Sequence, residues 1–434
     1  MPVASLTDSR WLRFASFTAL YFAQGIPIGL LNIALPAWLA EHGVGGAEIA
    51  WYQGIVTLPW GFKLFAGPFM DRFALPAMGR RRPWVMAAQI GLTGALTLLA
   101  LFSQPTEQLT WIVAVGLLVN CFAAVQDVAV DGMAIDVLPE SERGRANALM
   151  AFGQVAGFSS FAALSGVLLQ RSGLPLAAVV ASLSVGLVLL LATLARERPG
   201  EKLLPWSEGA ATSREFATAT TFRGIFSGLF RVLFLPMSVV LFLVEFLVRI
   251  RDGIALAVVP VFAVQQLGIA SATYSQFQGV VGVLTAAAGV AMGPLMDRFG
   301  VKPLYLASIV TGAALCFLLA TTQFWWSNTT YIVWIAIAVQ LVGQMMFIGY
   351  IALAMNICWA PVAATQFAIY MSLSNLSRSI GASGFALVAD RVDYATLFAV
   401  VGGILLLAAV LLGRFDLEAH RVRLATLGAE PGSL

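Results

Sequence analysis

Gly67-Pro68-Phe69-Met70-Asp71-Arg72-Phe73 returns, with only the third position changed, as Gly293-Pro294-Leu295-Met296-Asp297-Arg298-Phe299. Each copy closes the second long apolar run of its half of the chain. Pro36 and Pro260 also correspond, late in the run before each heptad. A repeat at equivalent places in two sets of apolar runs marks a duplicated helical bundle in a membrane. The heptad has a readable physics. Gly and Pro let helices approach closely and then end. The aspartate meets the start of the next helix, where backbone N–H groups and arginines favour an anion.

Composition agrees with the repeat. Of 434 residues, 59% are hydrophobic and only 11% are charged, against about a quarter charged in soluble domains. With a mean hydropathy of +0.87, the chain is read as all-α and membrane-embedded, because lipid leaves no partner for an open sheet edge. Spans are predicted at 12–40, 49–70, 83–102, 109–136, 145–170, 174–195, 234–265, 272–296, 303–321, 329–357, 362–389 and 394–413. These are twelve transmembrane helices in two pseudo-symmetric six-helix bundles: 1–195, then a linker at 196–233, then 234–414 and a tail at 415–434. Residues 214–233 read either as an amphipathic helix on the membrane surface or as a plain tether. The first apolar run is too long for a cleavable leader and continues into further spans.

Charge placement sets the orientation. Arg10, Arg13, Arg80, Arg81, Arg82, Arg143, Arg145, Arg298, Lys302 and Arg414 all fall on one side, and only Arg171 and Arg391 fall on the other. By the positive-inside rule, both termini are cytoplasmic and the chain is a multi-pass inner-membrane protein.

Eight charges fall within spans: Lys63, Arg249, Arg251 and Arg378, with Asp127, Asp131, Glu245 and Asp252. Each costs at least ~2.5–3.5 kcal/mol at mid-bilayer, so each must face another charge or a polar cavity. Asp127 and Asp131 share a helix face, about 16 and 10 Å above the inner end of their span, and Lys63 lies at a depth of about 12 Å. Lys63 is therefore expected to neutralise one aspartate, leaving the other free to exchange protons. A static salt bridge and direct substrate contact are the alternatives. On span seven, Glu245, Arg249 and Asp252 form a ladder at helical spacing, and Arg251 points away from it toward the other half or into a break near Gly253. Arg378 has no acid on its own span. It is either an anion-binding residue or an interhelical bridge to Glu245 or Asp252. Gln24, Gln126, Gln344 and Asn356 are candidate cavity residues alongside these charges.

At the cytoplasmic mouth, Asp71, Arg72, Arg80, Arg81, Arg82, Asp136, Arg145, Asp297 and Arg298 form a candidate gate, whose arginines can bridge to acids and release them as the bundles move. The cysteines Cys121, Cys316 and Cys358 share no metal-ligand spacing, and His42 and His420 fall in loop or tail. Neither a metal centre nor an enzyme is expected, nor a cofactor or nucleic acid, and no ATP-binding loop occurs.

The paired heptads resemble the loop signature of the major facilitator superfamily. In the second copy the pattern continues through Gly300 and Lys302. In the first, Gly79-Arg80-Arg81-Arg82 comes late, after an inserted Ala74–Met78. Tyr21-Phe22-Ala23-Gln24-Gly25-Ile26-Pro27, Pro59-Trp60-Gly61-Phe62-Lys63, Gln126-Asp127-Val128-Ala129-Val130-Asp131-Gly132 and Asp136-Val137-Leu138-Pro139 are similar to the AmpG-like permeases. That branch includes muropeptide permeases, acetyl-CoA transporters and RhtX/FptX-type siderophore importers. The resemblance implies a monomeric, proton-coupled secondary transporter working by alternating access. Its small-molecule cargo is polar or anionic, muropeptide- or siderophore-like, with a CoA ester as the alternative. A non-transporting assembly or sensing protein on the same scaffold is the other class.

Overall fold

Ser9 opens the first helix by accepting a hydrogen bond from the Leu12 N–H at 3.3 Å, which satisfies one of the free donors at a helix start. From there α1 runs Arg10–Glu41. Its turns widen to a π-helix over Ile28–Ala34, directly after Pro27. The structure, a computed structural model, describes residues 5–73, 76–207, 209, 229–359 and 362–429.

The second segment, α2 (residues 46–72), is not the straight span predicted. It breaks before Pro59 and tightens to a 3₁₀ turn at Lys63–Phe65. Proline lacks the N–H that the turn needs, so the break is local and chemical. Next come α3 (Arg82–Leu99) and α4 (Leu109–Val137). The run Glu140–Leu194 bends at Gly173, whose φ of 76° a side chain would strain. That bend separates α5 (residues 140–172) from α6 (174–194).

The second half begins with α7 (residues 236–266), which also ends in a π-helical turn, Phe262–Gln266. It continues through α8 (Ser271–Phe299), α9 (Val301–Thr321), α10 (Thr329–Asn356), α11 (Ala363–Ala386) and α12 (Tyr394–Gly413). A short α13 (Leu417–Ala429) follows. Most of residues 214–233 lie outside the described residues, so the amphipathic-helix expectation does too; 229–233 are helical. Among the described residues the one β pairing is an isolated bridge between Ser5 and Arg196.

Six helical runs among the described residues are long and apolar enough to cross a membrane: α1, α4, the α5–α6 run, α9, α10 and α12. Several others carry breaks, charges or polar residues. The backbone of α2 breaks beside Lys63, α7 holds Glu245, Arg249, Arg251 and Asp252, and α11 is rich in serine around Arg378.

Contacts divide the chain into two units. The first holds Met1–Arg214 with Leu256–Val283, and the second holds Glu215–Ala255 with Leu284–Leu434. In the first unit α1 crosses α5 through glycines. A Cβ on Gly25 would strike the backbone of Gln154 and Phe158, and one on Gly157 would strike the Phe22 carbonyl. Small residues permit such backbone contact where lipid offers no hydrophobic drive for helix association. The second unit repeats the device between α7 and α11, where Gly253 abuts the Arg378 carbonyl and Gly381 abuts Ile250. Within the first unit, Gln265 Nε2 donates to the carbonyls of Ala40 and Val44, both at 2.9 Å. Ser271 donates to the Glu41 carboxylate.

In the second unit α13 docks through His420, which is fully buried. Its Nε2 donates to the Ile357 carbonyl at 3.0 Å, and among the described residues Nδ1 has no partner. Burial lowers the His420 pKa, since a buried imidazolium loses hydration and here finds no acceptor for its second proton. A lowered folded value means that the dock is at full strength above the unfolded value of about 6.5 and weakens as pH falls below it. Hydrogen exchange across 417–429, corrected for intrinsic rate, is therefore expected to speed up on acidification from neutral pH, and His420→Gln is expected to remove that pH dependence. Equal protection at both pH values would refute the assignment.

Candidate functional site

The first unit gathers its intramembrane charges around α4. Asp127 is buried, and both of its oxygens are taken. Lys63 Nζ lies 2.7 Å from Oδ2, and Gln24 Nε2 donates to Oδ1 at 2.6 Å. Gln24 in turn accepts from Gln154 Nε2 at 3.1 Å, so α1, α2, α4 and α5 all meet at one carboxylate. The irregular turn at Lys63–Phe65 is where the lysine leaves α2 for α4. The same break lets Trp60 Nε1 donate to Asn120 at 2.8 Å. Asp131, one turn along, accepts from the Tyr21 hydroxyl and is otherwise exposed. An exposed carboxylate at this depth must face water rather than lipid. Gln126 sits apart from this group. It is buried, and its Nε2 is spent on the Leu20 carbonyl at 2.8 Å, stapling α4 to α1.

The second unit carries a denser cluster on α7. Glu245 accepts from Arg249 Nε at 2.7 Å and from Ser374 Oγ at 2.7 Å, and from the Tyr305 hydroxyl at 3.2 Å. Arg249 also reaches Asp252 at 2.8 Å and lies 4.5 Å from the centre of the Phe347 ring. The expected ladder is thus formed. Arg251 departs from expectation: it does not point away from the ladder, but folds back 2.6 Å onto the other oxygen of Asp252, against Gly343. Adjacent helical residues rarely face each other, yet a long guanidinium arm can wrap back onto a short carboxylate that already points sideways. Arg378 bridges neither Glu245 nor Asp252. It makes no hydrogen bond or ion pair among the described residues. Gln344 lies against Gly289 of α8. Asn356 sits exposed at the end of α10, bonded back to its own helix at Ala352 (2.8 Å), and does not join the cluster.

At the arginine-rich end, Arg80 and Arg81 lie 3.5 and 3.8 Å from Asp136. Arg82 needs correction: among the described residues its guanidinium forms no ion pair with an acid. Its guanidinium spans the carbonyls of Ala192, Thr193, Lys202 and Leu203, at 2.7–3.3 Å, closing the end of α6. Lys302 is its counterpart, since Nζ reaches the carbonyls of Gly413 and Phe415 at the end of α12, 3.2 and 2.5 Å away. Unsatisfied carbonyls and the negative end of the helix dipole explain why a base stands there in both halves. Arg145 and Arg298 are exposed and reach no acid among the described residues; Arg298 lies over Phe299. The side chains of Asp71, Arg72 and Asp297 fall outside the described residues.

Several partners escaped the reading of the sequence. Glu197, just past α6, accepts from the consecutive N–H groups of Arg80, Arg81 and Arg82, a nest of backbone donors that suits an anion. Glu142 clamps Arg13 with contacts of 2.7–2.9 Å. Tyr21 stood inside a quoted motif, but nothing in its spacing aimed it at α4. Ser374 and Tyr305 carry no signal beyond being polar residues in apolar runs.

The family model of the Major Facilitator Superfamily matches residues 17–248 and again 241–433. The anhydromuropeptide permease of Escherichia coli K12 is 27% identical over 421 residues, covering 94% of this chain and 81% of the permease. A putative transporter AmpG 1 of Rickettsia bellii is 21% identical over 368 residues, covering 82% of this chain and 87% of that protein. Among solved structures, the nucleoside transporter NupG superposes with a TM-score of 0.72 at 13% identity, covering 93% of this chain and 98% of that one.

Proposed function

The chain belongs to the Major Facilitator Superfamily, and from that premise we propose that it is a proton-coupled secondary transporter for a polar solute of the anhydromuropeptide class. The observation that carries the coupling is the carboxylate pair on α4. Asp127 is matched by Lys63 and Gln24, and Asp131, among the described residues, by a neutral hydroxyl alone. Two like charges one turn apart cannot both be ionised cheaply in a membrane, so the second carboxylate is a seat for one proton per cycle. The cargo class is supported by the similarity to the anhydromuropeptide permease over nearly the whole chain. The protein works as a monomer in the bilayer with both termini on the cytoplasmic side, in keeping with the one-sided arginines.

The test is uptake of labelled anhydromuropeptide into proteoliposomes under an imposed pH gradient. One coupled proton supports up to about tenfold accumulation per pH unit, since one unit is worth 1.36 kcal/mol. Accumulation that collapses with a protonophore is the expected result. Uptake that only equilibrates, whatever the gradient, would defeat the coupling.

A further inference from the structure

The charges of the second unit do not balance. Three guanidiniums, on Arg249, Arg251 and Arg378, share two carboxylates, on Glu245 and Asp252. Every carboxylate oxygen already accepts. Glu245 holds Arg249, Ser374 and Tyr305, and Asp252 holds Arg249 on one oxygen and Arg251 on the other. Arg378 is left over, half-buried, without a hydrogen bond or ion pair among the described residues.

Its direction is fixed by its own helix. Ser374 lies one turn earlier on α11, hence on the same face, and Ser374 touches both Glu245 and Arg249. The backbone of α11 meets α7 at the same level, where Gly253 abuts the Arg378 carbonyl. Arg378 therefore leaves α11 on the side of the α7 charges and finds none free. A surplus cation at membrane depth is expensive, and such residues mark ligand paths.

We propose that Arg378 is the seat of a carboxylate of the transported solute. A guanidinium presents two parallel N–H donors that match a carboxylate edge to edge. One carboxylate also cancels the surplus charge of the cluster, whereas a phosphate dianion would overshoot it. The bases already paired on α7 need no further anion, so they act as a scaffold that keeps the acids occupied and Arg378 open. The first unit has the opposite imbalance: one lysine faces two aspartates. A proton on Asp131 and a carboxylate on Arg378 would together leave each of these two charge clusters neutral.

This inference rests on the transporter reading, and binding measurements separate the two. Purified protein is titrated with anhydromuropeptide, with its fully amidated form, and with coenzyme A as a phosphate-bearing probe. The wild type is expected to prefer the free carboxylate form at least tenfold over the amide and over coenzyme A. Arg378→Gln is expected to lose that preference while binding the amide as before. Should Arg378→Gln fail to fold, Arg378→Lys decides: it keeps the charge, loses the fork, and is expected to retain the preference with clearly weaker binding. Equal binding of acid and amide by the wild type overturns the seat and leaves proton-coupled transport standing. So does a preference that survives in Arg378→Gln, full affinity in Arg378→Lys, or tighter binding of coenzyme A. Binding of neither peptide form overturns both the seat and the cargo class, while gradient-driven uptake of another solute would still uphold the transporter.

Discussion

Asp131→Asn abolishes uphill uptake driven by a pH gradient and leaves exchange of labelled for unlabelled cargo intact. The asymmetry within the acid pair is the reason. Asp127 is buried and fully matched by Lys63 at 2.7 Å and Gln24 at 2.6 Å, so its charge is fixed in place. Asp131 has a phenolic partner and an open side. It can lose its proton to water and regain it without dismantling a salt bridge. Asparagine keeps an oxygen for the Tyr21 hydroxyl, so packing survives and only titration is lost. Accumulation at one pH unit then falls from up to about tenfold to none. Asp127→Asn fails differently. It strands Lys63, and removing one partner of a buried pair costs about 3–5 kcal/mol, so lower stability accompanies the loss of transport. Undiminished uphill uptake in Asp131→Asn would remove this residue from the coupling path.

Why the aspartate pair could be read from the sequence and other parts could not is a matter of geometry. Helix rise turns residue number into depth, so Lys63 and Asp127 could be matched across two helices before either was seen. The same rise placed Glu245, Arg249 and Asp252 on one face. Arg251 defeated the method because its contact depends on a side-chain arm bending back, which spacing does not encode. Arg82 defeated it for another reason. An arginine in a basic cluster looks like a gate residue, and only the neighbouring end of α6 reveals that carbonyls, not acids, are its partners. Lys302 could have given the hint, since it stands at the start of the third helix of its own half, as Arg82 does in the first.

The helix crossings were written in the chain but not decodable from it. Gly25 and Gly29 on α1, and Gly153 and Gly157 on α5, have the spacing of close-packing motifs in membranes. Many glycines stand in this chain, however, and nothing in one helix names the other. Breaks in regular structure were half legible. Pro59 carried a signal for the interruption of α2, although residues 49–70 read as one unbroken span. The π turns at Ile28–Ala34 and Phe262–Gln266 were not foretold, since a widened turn depends on which neighbours press on it.

Gly157→Leu is expected to prevent recovery of folded protein, and the reason lies in what it would strike. A Cβ at that position already meets the Phe22 carbonyl of α1 more closely than real side chains do. The obstacle is backbone, which cannot rotate aside, so the helices must separate along the most extensive contact of the first unit. Alanine adds the Cβ alone and should cost about 1–3 kcal/mol, the usual toll of overpacking; leucine adds a branched side chain behind it. Gly94→Leu is the control, because a Cβ there meets nothing within 4 Å. Size-exclusion profiles and melting curves in detergent would show Gly94→Leu behaving as wild type and Gly157→Leu aggregating. If the two behave alike, close approach is not what holds α1 to α5. The alanine variant carries a further consequence for the site. Gln24 precedes Gly25 and Gln154 follows Gly153, so the 3.1 Å bond between them spans this same crossing. Widening the crossing stretches that bond first, loosens Gln24 from Asp127, and leaves Lys63 as the remaining hydrogen-bond partner of that carboxylate. Gly157→Ala should therefore lose coupled uptake at temperatures where it is still folded.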